Sequence, residues 1–328
     1  GLSGHFAMAM AVTFLYTMEP TSGIAFILGA HATVAQGGGL TAILFSTPGT
    51  GQNAATLLDG PPMRDKGEAG IAVGAAMASC FLGATFGAIV LALLIPVLRE
   101  VVLFFGPPEV FVLAFLALTF VAVLGKEDMT RSLIAALLGL LLAMIGVDNV
   151  TNTHRFTMGS ERLADGLQLV PVILGLFAVA EMIDLWVRGG SLAKGVPQAL
   201  SAKDTQMQIF KGIGLAFRHW WLVMRCSAIG TGMGLIPGLG SAPASFVAYG
   251  HAKQSSPDKE SFGTGNVKGV IGPEAANDAV EGGALASTLA FGIPGSSSMA
   301  ILLSGLFILG LETGPQMMNQ NVDIVFVM

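Results

Sequence analysis

The amino-acid sequence predicts an all-α polytopic membrane protein, and composition is the first observation that supports it. Of the 328 residues, 53% are hydrophobic and only 11% are charged, against about 25% charged in soluble domains. The 44 glycines follow no fixed period and the chain contains no polar tract, which excludes a collagen-like or low-complexity protein. The net charge is −5 and there is no basic stripe, so nucleic acid is not an expected partner.

Four apolar stretches in the first half of the chain are candidates for membrane crossings. A spanning helix needs about 20 apolar residues, because the hydrocarbon core is about 30 Å thick. Residues 71–98 contain no charged side chain, and further apolar stretches follow at 110–125, 132–147 and 166–187. This order predicts four successive crossings joined by short polar connections.

The distribution of basic residues predicts how these crossings are oriented. Lys and Arg accumulate on the cytoplasmic side of membrane proteins. Ten of the 16 basic residues lie in three alternate connections, 59–70, 126–131 and 188–225. The connections between them hold only three. We therefore expect a multi-pass protein in which these three basic connections face the cytoplasm.

Two further uncharged stretches are too long, and too rich in Gly and Pro, to be single straight spans. Residues 20–58 carry no formal charge and as one helix would extend about 58 Å. Gly37-Gly38-Gly39 and Pro48-Gly49 are the expected breaks, because Gly is a weak helix former and Pro lacks a backbone donor. Residues 282–311 are likewise uncharged and are interrupted by Pro294-Gly295.

The two broken stretches resemble each other. Residues 37–49 match residues 283–295 in pattern at a fixed offset of 246, and small polar residues follow each Pro-Gly. The match predicts two related halves with broken or re-entrant helices, inverted with respect to each other. We expect a first repeat at 1–187, truncated at its N-terminus, a cytoplasmic connection at 188–225, and a second repeat at 226–328, truncated at its C-terminus.

Paired interruptions at equivalent positions of two halves are typical of a transporter binding site, because unpaired backbone groups at membrane depth must line a wet cavity or be buried in protein. The alternative is that Gly and Pro merely allow kinks and close helix packing. Free N–H groups and hydroxyls at such breaks favour anions, whereas freed carbonyls favour Na⁺. The candidate substrate or ion ligands at the breaks are Ser46, Thr47, Pro48, Gly49, Thr50, Asn53, Pro294, Gly295, Ser296, Ser297 and Ser298.

An acidic face is the second candidate site. Glu274, Asn277, Asp278 and Glu281 are spaced i, i+3, i+4 and i+7, so they share one face of a helix that we expect to begin at Pro273. Ionisable groups facing a cavity in a membrane bind a cation or accept a proton. The alternative is the wet side of an interfacial helix, which is the interpretation we favour for Glu281. A histidine in an apolar stretch, such as His31, is expected to be packed or hydrogen-bonded.

Other chemistries find less support in the sequence. Cys80 and Cys226 lie in apolar stretches, which predicts neither a disulfide framework nor a Cys-based zinc site. No resident metal or cofactor is expected, and no ATP-binding loop is present. A channel, or an intramembrane enzyme using a serine beside a break, stays open as an alternative. The enzyme would need a base near Ser46 or Ser296, and the sequence places no His or Lys there.

Five motifs in order along the chain resemble the large permease subunit of tripartite tricarboxylate transporters, the TctA-type family. They are Leu40-Thr41-Ala42-Ile43-Leu44-Phe45-Ser46-Thr47-Pro48-Gly49, Asp59-Gly60-Pro61-Pro62-Met63, Gly234-Leu235-Ile236-Pro237-Gly238-Leu239-Gly240, Gly272-Pro273-Glu274-Ala275-Ala276-Asn277-Asp278 and Gly292-Ile293-Pro294-Gly295-Ser296. The resemblance implies a permease without enzymatic activity that imports carboxylates across the bacterial inner membrane, driven by a gradient of Na⁺ or H⁺. It also implies two partners, a small membrane subunit and a periplasmic solute-binding protein.

Overall fold

The computed structural model of the chain is almost entirely helical. It describes residues 4–104, 106–124, 129–148, 153–164, 166–167, 171–172, 174–188, 202–314, 317–318, 324–325 and 328. Within these ranges the strands amount to one short antiparallel pair, Gly146–Val147 with His154–Arg155. The all-α prediction is confirmed for the described part of the chain.

Twelve α-helices are described, numbered here in chain order. They are α1 Gly4–Val12, α2 Pro20–Phe45, α3 Gly60–Asp65, α4 Ala69–Phe104, α5 Pro107–Leu124, α6 Met129–Ala143, α7 Ala180–Arg188, α8 Ala202–Arg218, α9 Trp220–Gly234, α10 Ser241–Ser255, α11 Lys268–Phe291 and α12 Ser297–Ile308. Short 3₁₀ turns lie at Thr13–Thr17, Gly51–Asn53, Ala55–Leu58, Glu161–Leu163 and Lys259–Ser261, and a π turn at Leu174–Val179.

Two described helices are long and apolar enough to cross a membrane, Pro20–Phe45 and Ala69–Val102. The second contains the predicted crossing 71–98, and α5 corresponds to 110–125. The prediction for 132–147 was too long, because α6 ends at Ala143 and Gly146 has a φ of +139° that no helix tolerates. Part of the predicted crossing 166–187 lies outside the described residues.

Helix α11 lies at the centre of the packing and is contacted by α4, α9 and α10. Its residues from 269 to 280 are all buried. A Cβ added to Gly83 of α4 would clash with the carbonyl of Ala275, and one added to Gly230 of α9 would clash with the carbonyl of Ala276. The backbones of α4 and α9 therefore rest directly on α11, which holds its side chains at fixed positions in the interior.

Helix α2 packs against α11 in the opposite direction. Gly39, near the end of α2, abuts the carboxylate of Glu274 in the first half of α11. His31, two turns earlier in α2, lies 3.2 Å from Glu281, two turns later in α11. Because residue numbers increase along one helix as they decrease along the other, the two broken helices are antiparallel.

Candidate cation site and the two helix breaks

The two Pro-Gly breaks have the same backbone path. Helix α2 ends at Phe45 with Ser46 in the left-handed region (φ 52°), and α11 ends at Phe291 with Gly292 there as well (φ 68°). Both pairs are 246 residues apart. The chain then runs extended to the next turn or helix, with Thr50 and Ser296 both near φ −150°. The breaks predicted at Pro48-Gly49 and Pro294-Gly295 are therefore confirmed as local geometry. The break predicted at Gly37-Gly38-Gly39 is wrong, because these residues lie inside the continuous helix α2, where Gly38 and Gly39 make room for Asn53 and Glu274 instead.

Each break folds back onto the helix that precedes it. The N–H of Gly49 donates to the carbonyl of Gly38 at 3.3 Å, and a Cβ on Gly49 would clash with the Cα of Gly38. In the second break a Cβ on Gly295 would lie 2.9 Å from the Cβ of Ala284, the residue equivalent to Gly38. Glycine is needed at both places because the backbone approaches the helix closely.

The polar side chains of the first break mostly form hydrogen bonds with the break itself and with the helix before it. Asn53 is fully buried; its amide donates to the carbonyl of Ala35 at 3.0 Å and its oxygen accepts from Thr50 at 2.8 Å. Ser46 is exposed and accepts from the Arg64 guanidinium at 3.1 Å, while the Thr47 hydroxyl donates to the carbonyl of Phe45 at 3.2 Å. These side chains hold the loop in place in this conformation.

The second break leads directly into a helix. The Ser296 hydroxyl accepts from the Met299 N–H at 3.2 Å and lies 3.2 Å from the Ser298 hydroxyl. Ser296 is thus the N-cap of α12. Ser297 is exposed at the first position of this helix, and Ser298 is buried. Pro294 is half-buried.

A glycine-rich loop between α9 and α10 touches both breaks. The N–H of Gly240 donates to the carbonyl of Gly295 at 3.1 Å. The hydroxyl of the next residue, Ser241, donates to the Gln52 amide oxygen just after the first break. Two adjacent residues, Gly240 and Ser241, therefore link the two breaks.

Glu274 lies in the interior between three elements. It is 1% exposed. The Thr56 hydroxyl donates to Oε1, and the Cys80 thiol of α4 donates to Oε2 at 3.1 Å. The absence of a side chain at Gly39 of α2 makes room for the carboxylate. Both oxygens of Glu274 thus have hydrogen-bond donors.

Asn277 and Asp278 continue this site along α11. Both are buried, at 1% and 7% exposure. Among the described residues, neither amide atom of Asn277 nor Oδ2 of Asp278 has a hydrogen-bond partner. The Cys80 sulfur and one oxygen from each of Glu274 and Asp278 all lie within 4.8 Å of one another. This set of buried donor atoms could hold a cation.

A second ionisable pair adjoins the site. The His31 Nε2 and the Glu281 Oε2 are 3.2 Å apart, and both side chains are mostly buried. The sequence favoured a solvent-facing position for Glu281 on the acidic face and a packed or hydrogen-bonded position for His31. Their pairing gives the acidic face a basic neighbour about two turns from Glu274.

Two expectations about α11 require correction. The wet interfacial face was the alternative interpretation and the favoured one for Glu281. It is wrong, because Glu274, Asn277 and Asp278 are buried and the mostly buried Glu281 pairs with His31. Pro273 does not begin the helix but lies inside it, and α11 starts at Lys268. The start is earlier because Asn266 already satisfies the first free donor, accepting from the Lys268 N–H at 2.9 Å.

Comparison with known proteins settles the family. The whole chain, residues 1–328, matches the Tripartite tricarboxylate transporter TctA family. The chain belongs to this family. It is a transporter family and not a family of enzymes.

Two curated relatives come from Agrobacterium vitis. One, described as "Uncharacterized 52.8 kDa protein in TAR-I ttuC' 3'region", is 31% identical over 321 residues, covering 98% of this chain and 62% of the relative. The other, "Uncharacterized protein in TAR-II ttuC' 3'region", is 35% identical over 92 residues, 28% of this chain and 38% of the relative. This TctA-family chain therefore spans about three fifths of the first relative's length. No solved structure matches it.

Proposed function

We propose that the chain is the permease subunit of an ion-gradient-driven tripartite transporter that imports tricarboxylates or related carboxylates across the bacterial inner membrane. Membership of the TctA family supports the transporter class. The same membership supports two partners, a small membrane subunit and a periplasmic solute-binding protein. The long apolar helices α2 and α4 support insertion in the membrane as a multi-pass protein.

One observation carries the ion-coupled part of the proposal. Helix α11 brings Glu274, Asp278 and Glu281 into the interior, and among the described residues the basic side chain at bonding distance from them is His31. Uncompensated carboxylates at membrane depth are costly. A cation or a proton must therefore accompany them, and we assign the site at Glu274, Asn277 and Asp278 to the coupling Na⁺ or H⁺.

The carboxylate substrate is assigned to the breaks. Helix N-termini and hydroxyl donors favour anions, and α12 begins at the second break with Ser297 exposed and Ser296 as its cap. The first break, by contrast, leads to Thr56, which donates to Glu274. We therefore assign the second break to the substrate, and Thr50, Asn53 and Thr56 to the support of the cation site.

Two features support an inverted repeat. The broken helices α2 and α11 are antiparallel, and their breaks share one backbone path at an offset of 246 residues. Inverted repeats place equivalent broken helices in opposite directions around one central site. We propose that 1–187 and 226–328 are such repeats, that 188–225 connects them on the cytoplasmic side, and that both breaks lie near the bilayer midplane.

Substitution of Glu274 by Gln in the full-length protein tests the coupling role. Gln keeps the shape and much of the hydrogen bonding but removes the charge. Ion-driven uptake by the assembled system, measured at matched expression, should be lost or should lose its ion dependence. Glu260→Gln is the matched control, since Glu260 is exposed on a loop. Normal uptake by Glu274→Gln with unchanged ion dependence would exclude the coupling role.

The proposed orientation has its own test. Lys203 is exposed near the start of α8, and Cys80 and Cys226 are both buried. In a Lys203→Cys variant, a membrane-impermeant thiol reagent should label position 203 from the cytoplasmic side. Labelling from the periplasmic side alone would invert the topology while leaving the cation site untouched.

A further inference from the structure

A thiol belongs to the acidic cluster on α11, and its presence changes the class of ion that the cluster can bind. We propose that Cys80, Glu274 and Asp278 bind a thiophilic divalent cation such as Zn²⁺ or Cd²⁺, with Asn277 as a fourth ligand. The site is the one that the proposed function assigns to the coupling cation. A divalent ion there would compete with that cation and inhibit transport.

The geometry suits one small ion. The Cys80 sulfur lies 3.1 Å from Oε2 of Glu274, and an Asp278 oxygen lies within 4.8 Å of both side chains. Ligand atoms around a tetrahedral Zn²⁺ are about 3.5 Å apart, given bond lengths of about 2.0–2.3 Å. The three side chains need to move by only about 1 Å to surround the ion.

An independent observation points to a ligand at this place. Asn277 is 1% exposed, and neither its Oδ1 nor its Nδ2 has a partner among the described residues. It lies one helical turn beyond Glu274 and next to Asp278, whose Oδ2 is also without a partner in the described part of the chain. Buried polar atoms are normally hydrogen-bonded. An ion bound at Oδ1 of Asn277 and Oδ2 of Asp278 would satisfy two of these atoms.

The donor set selects the chemistry of the ion. Carboxylate and amide oxygens alone suit Na⁺, Mg²⁺ or Ca²⁺, whereas a thiolate selects Zn²⁺ and similar soft ions. On binding, the Cys80 thiol loses its proton to solvent and the metal–sulfur bond forms. Sequence spacing indicated no zinc site because the ligands come from two helices, α4 and α11, nearly 200 residues apart.

The less deeply buried end of the cluster lies toward the C-terminal end of α11. Glu281 lies one turn beyond Asp278 on the same helix face. Its side chain is 15% exposed and that of its partner His31 is 10% exposed, against 1% for Glu274. We expect a cation to reach Asp278 and Cys80 from this end.

Cadmium binding to the purified full-length protein tests the proposal. Cd²⁺ added to wild type should bind at one site per chain that gives a thiolate-to-cadmium charge-transfer absorption in the ultraviolet. Cys80→Ser should remove that absorption and weaken binding about 100-fold. Cys226→Ser is the matched control, because Cys226 is also a free, buried cysteine, and its sulfur lies 3.8 Å from the carbonyl of Ala248. The Cys226→Ser variant should keep both the charge-transfer absorption and the wild-type affinity for Cd²⁺.

A second variant, Asp278→Asn, tests the site even if Cys80→Ser fails to fold. Asp278→Asn keeps the shape of the side chain and the thiol, so it should retain the absorption but require about tenfold more Cd²⁺. The proposal is overturned if wild type shows no cadmium–thiolate absorption, or if Cys80→Ser retains it at full strength.

The metal site and the coupling role can fail separately. Cadmium binding at Cys80, together with normal ion-dependent uptake by Glu274→Gln, would leave the metal site standing and remove the coupling role. Loss of uptake by Glu274→Gln, without any Cd²⁺ binding to wild type, would support the coupling role and exclude the metal site. When both hold, Cd²⁺ should inhibit uptake by wild type and by Cys226→Ser at the same concentrations.

Discussion

The two breaks share one backbone path but differ in what holds them. Ser46 occupies the left-handed position of the first break, whereas Gly292 occupies it in the second. The first break is fixed by a fully buried Asn53 and leads into short 3₁₀ turns. The second is fixed by Ser296, which caps the regular helix α12.

This difference shows that the same backbone path can carry side chains that make different contacts. The turns after the first break bring Thr56 to Glu274, on the helix that precedes the other break. The helix after the second break instead presents its own N-terminus, where Ser297 is exposed. The backbone path sets where the breaks lie, and the side chains that follow set what each can bind.

The largest expected effects separate the two breaks by function. Thr56→Val keeps the side-chain shape and removes the donor to Glu274. Because a hydrogen bond to a charged group contributes about 1.5–3 kcal/mol, the ion concentration for half-maximal uptake should rise about tenfold or more, with an unchanged KM for the carboxylate. Ser297→Ala should raise that KM and leave the ion dependence as in wild type. Equal shifts of both parameters in both variants would show that the breaks do not divide the tasks.

The two glycines that touch the preceding helices should differ in how well they tolerate substitution by alanine. Gly49→Ala places a methyl group against the backbone of Gly38 and should destabilise the protein by about 3 kcal/mol. Gly295→Ala places a methyl group 2.9 Å from the Cβ and 3.1 Å from the Cα of Ala284, a looser approach than that of the Gly49 methyl group to the Gly38 Cα, and should cost about 1 kcal/mol. Thermal unfolding of the two variants in detergent measures this order. A smaller loss for Gly49→Ala than for Gly295→Ala would contradict the close approach at the first break.

The side chains that fix each break should also differ in how much they contribute to the stability of the protein. Asn53→Ala removes two buried hydrogen bonds, one to the Ala35 carbonyl and one from the Thr50 hydroxyl, and leaves that hydroxyl without its partner, so we expect a loss of about 2 kcal/mol. Ser296→Ala removes one N-cap and should cost about 1 kcal/mol. The same unfolding assay measures whether Asn53→Ala loses more stability than Ser296→Ala. Ser297→Ala, which changes an exposed neighbour of the cap, is the control.

The smallest effects come from exchanging the left-handed residues. Ser46→Gly should stabilise the protein by about 1 kcal/mol, because Gly adopts φ near 52° without strain. Gly292→Ser should destabilise it by a similar amount. The exposed contact of Ser46 with Arg64 adds little. Unfolding midpoints that move in the same direction for both substitutions would mean that the two positions are not equivalent.

The sequence predicted the features that depend on local rules. Pro48 and Pro294 end helices because proline restricts the residue before it and lacks an N–H, and both helices end three residues before the proline. Helical spacing alone placed Glu274, Asn277 and Asp278 on one face. These predictions needed no knowledge of tertiary contacts.

The remaining parts of the site come from packing and could not be read locally. Cys80 and Thr56 reach Glu274 from α4 and from the turns after the first break. His31 meets Glu281 only because α2 and α11 are antiparallel. The start of α11 was misplaced because the capping side chain, Asn266, lies seven residues before Pro273.

The glycine contacts of α11 have a mechanical consequence. Where Gly83 of α4 and Gly230 of α9 lie on its carbonyls, backbone meets backbone, and neither helix can slide or roll without a collision. These three helices should therefore move as one rigid block. Between α11 and α2 the contacts are polar pairs beside Gly39, which can part and form again. In the permease that we propose, a change that opens the protein from one side of the membrane to the other would separate α2 from α11, and Glu274 lies at that interface.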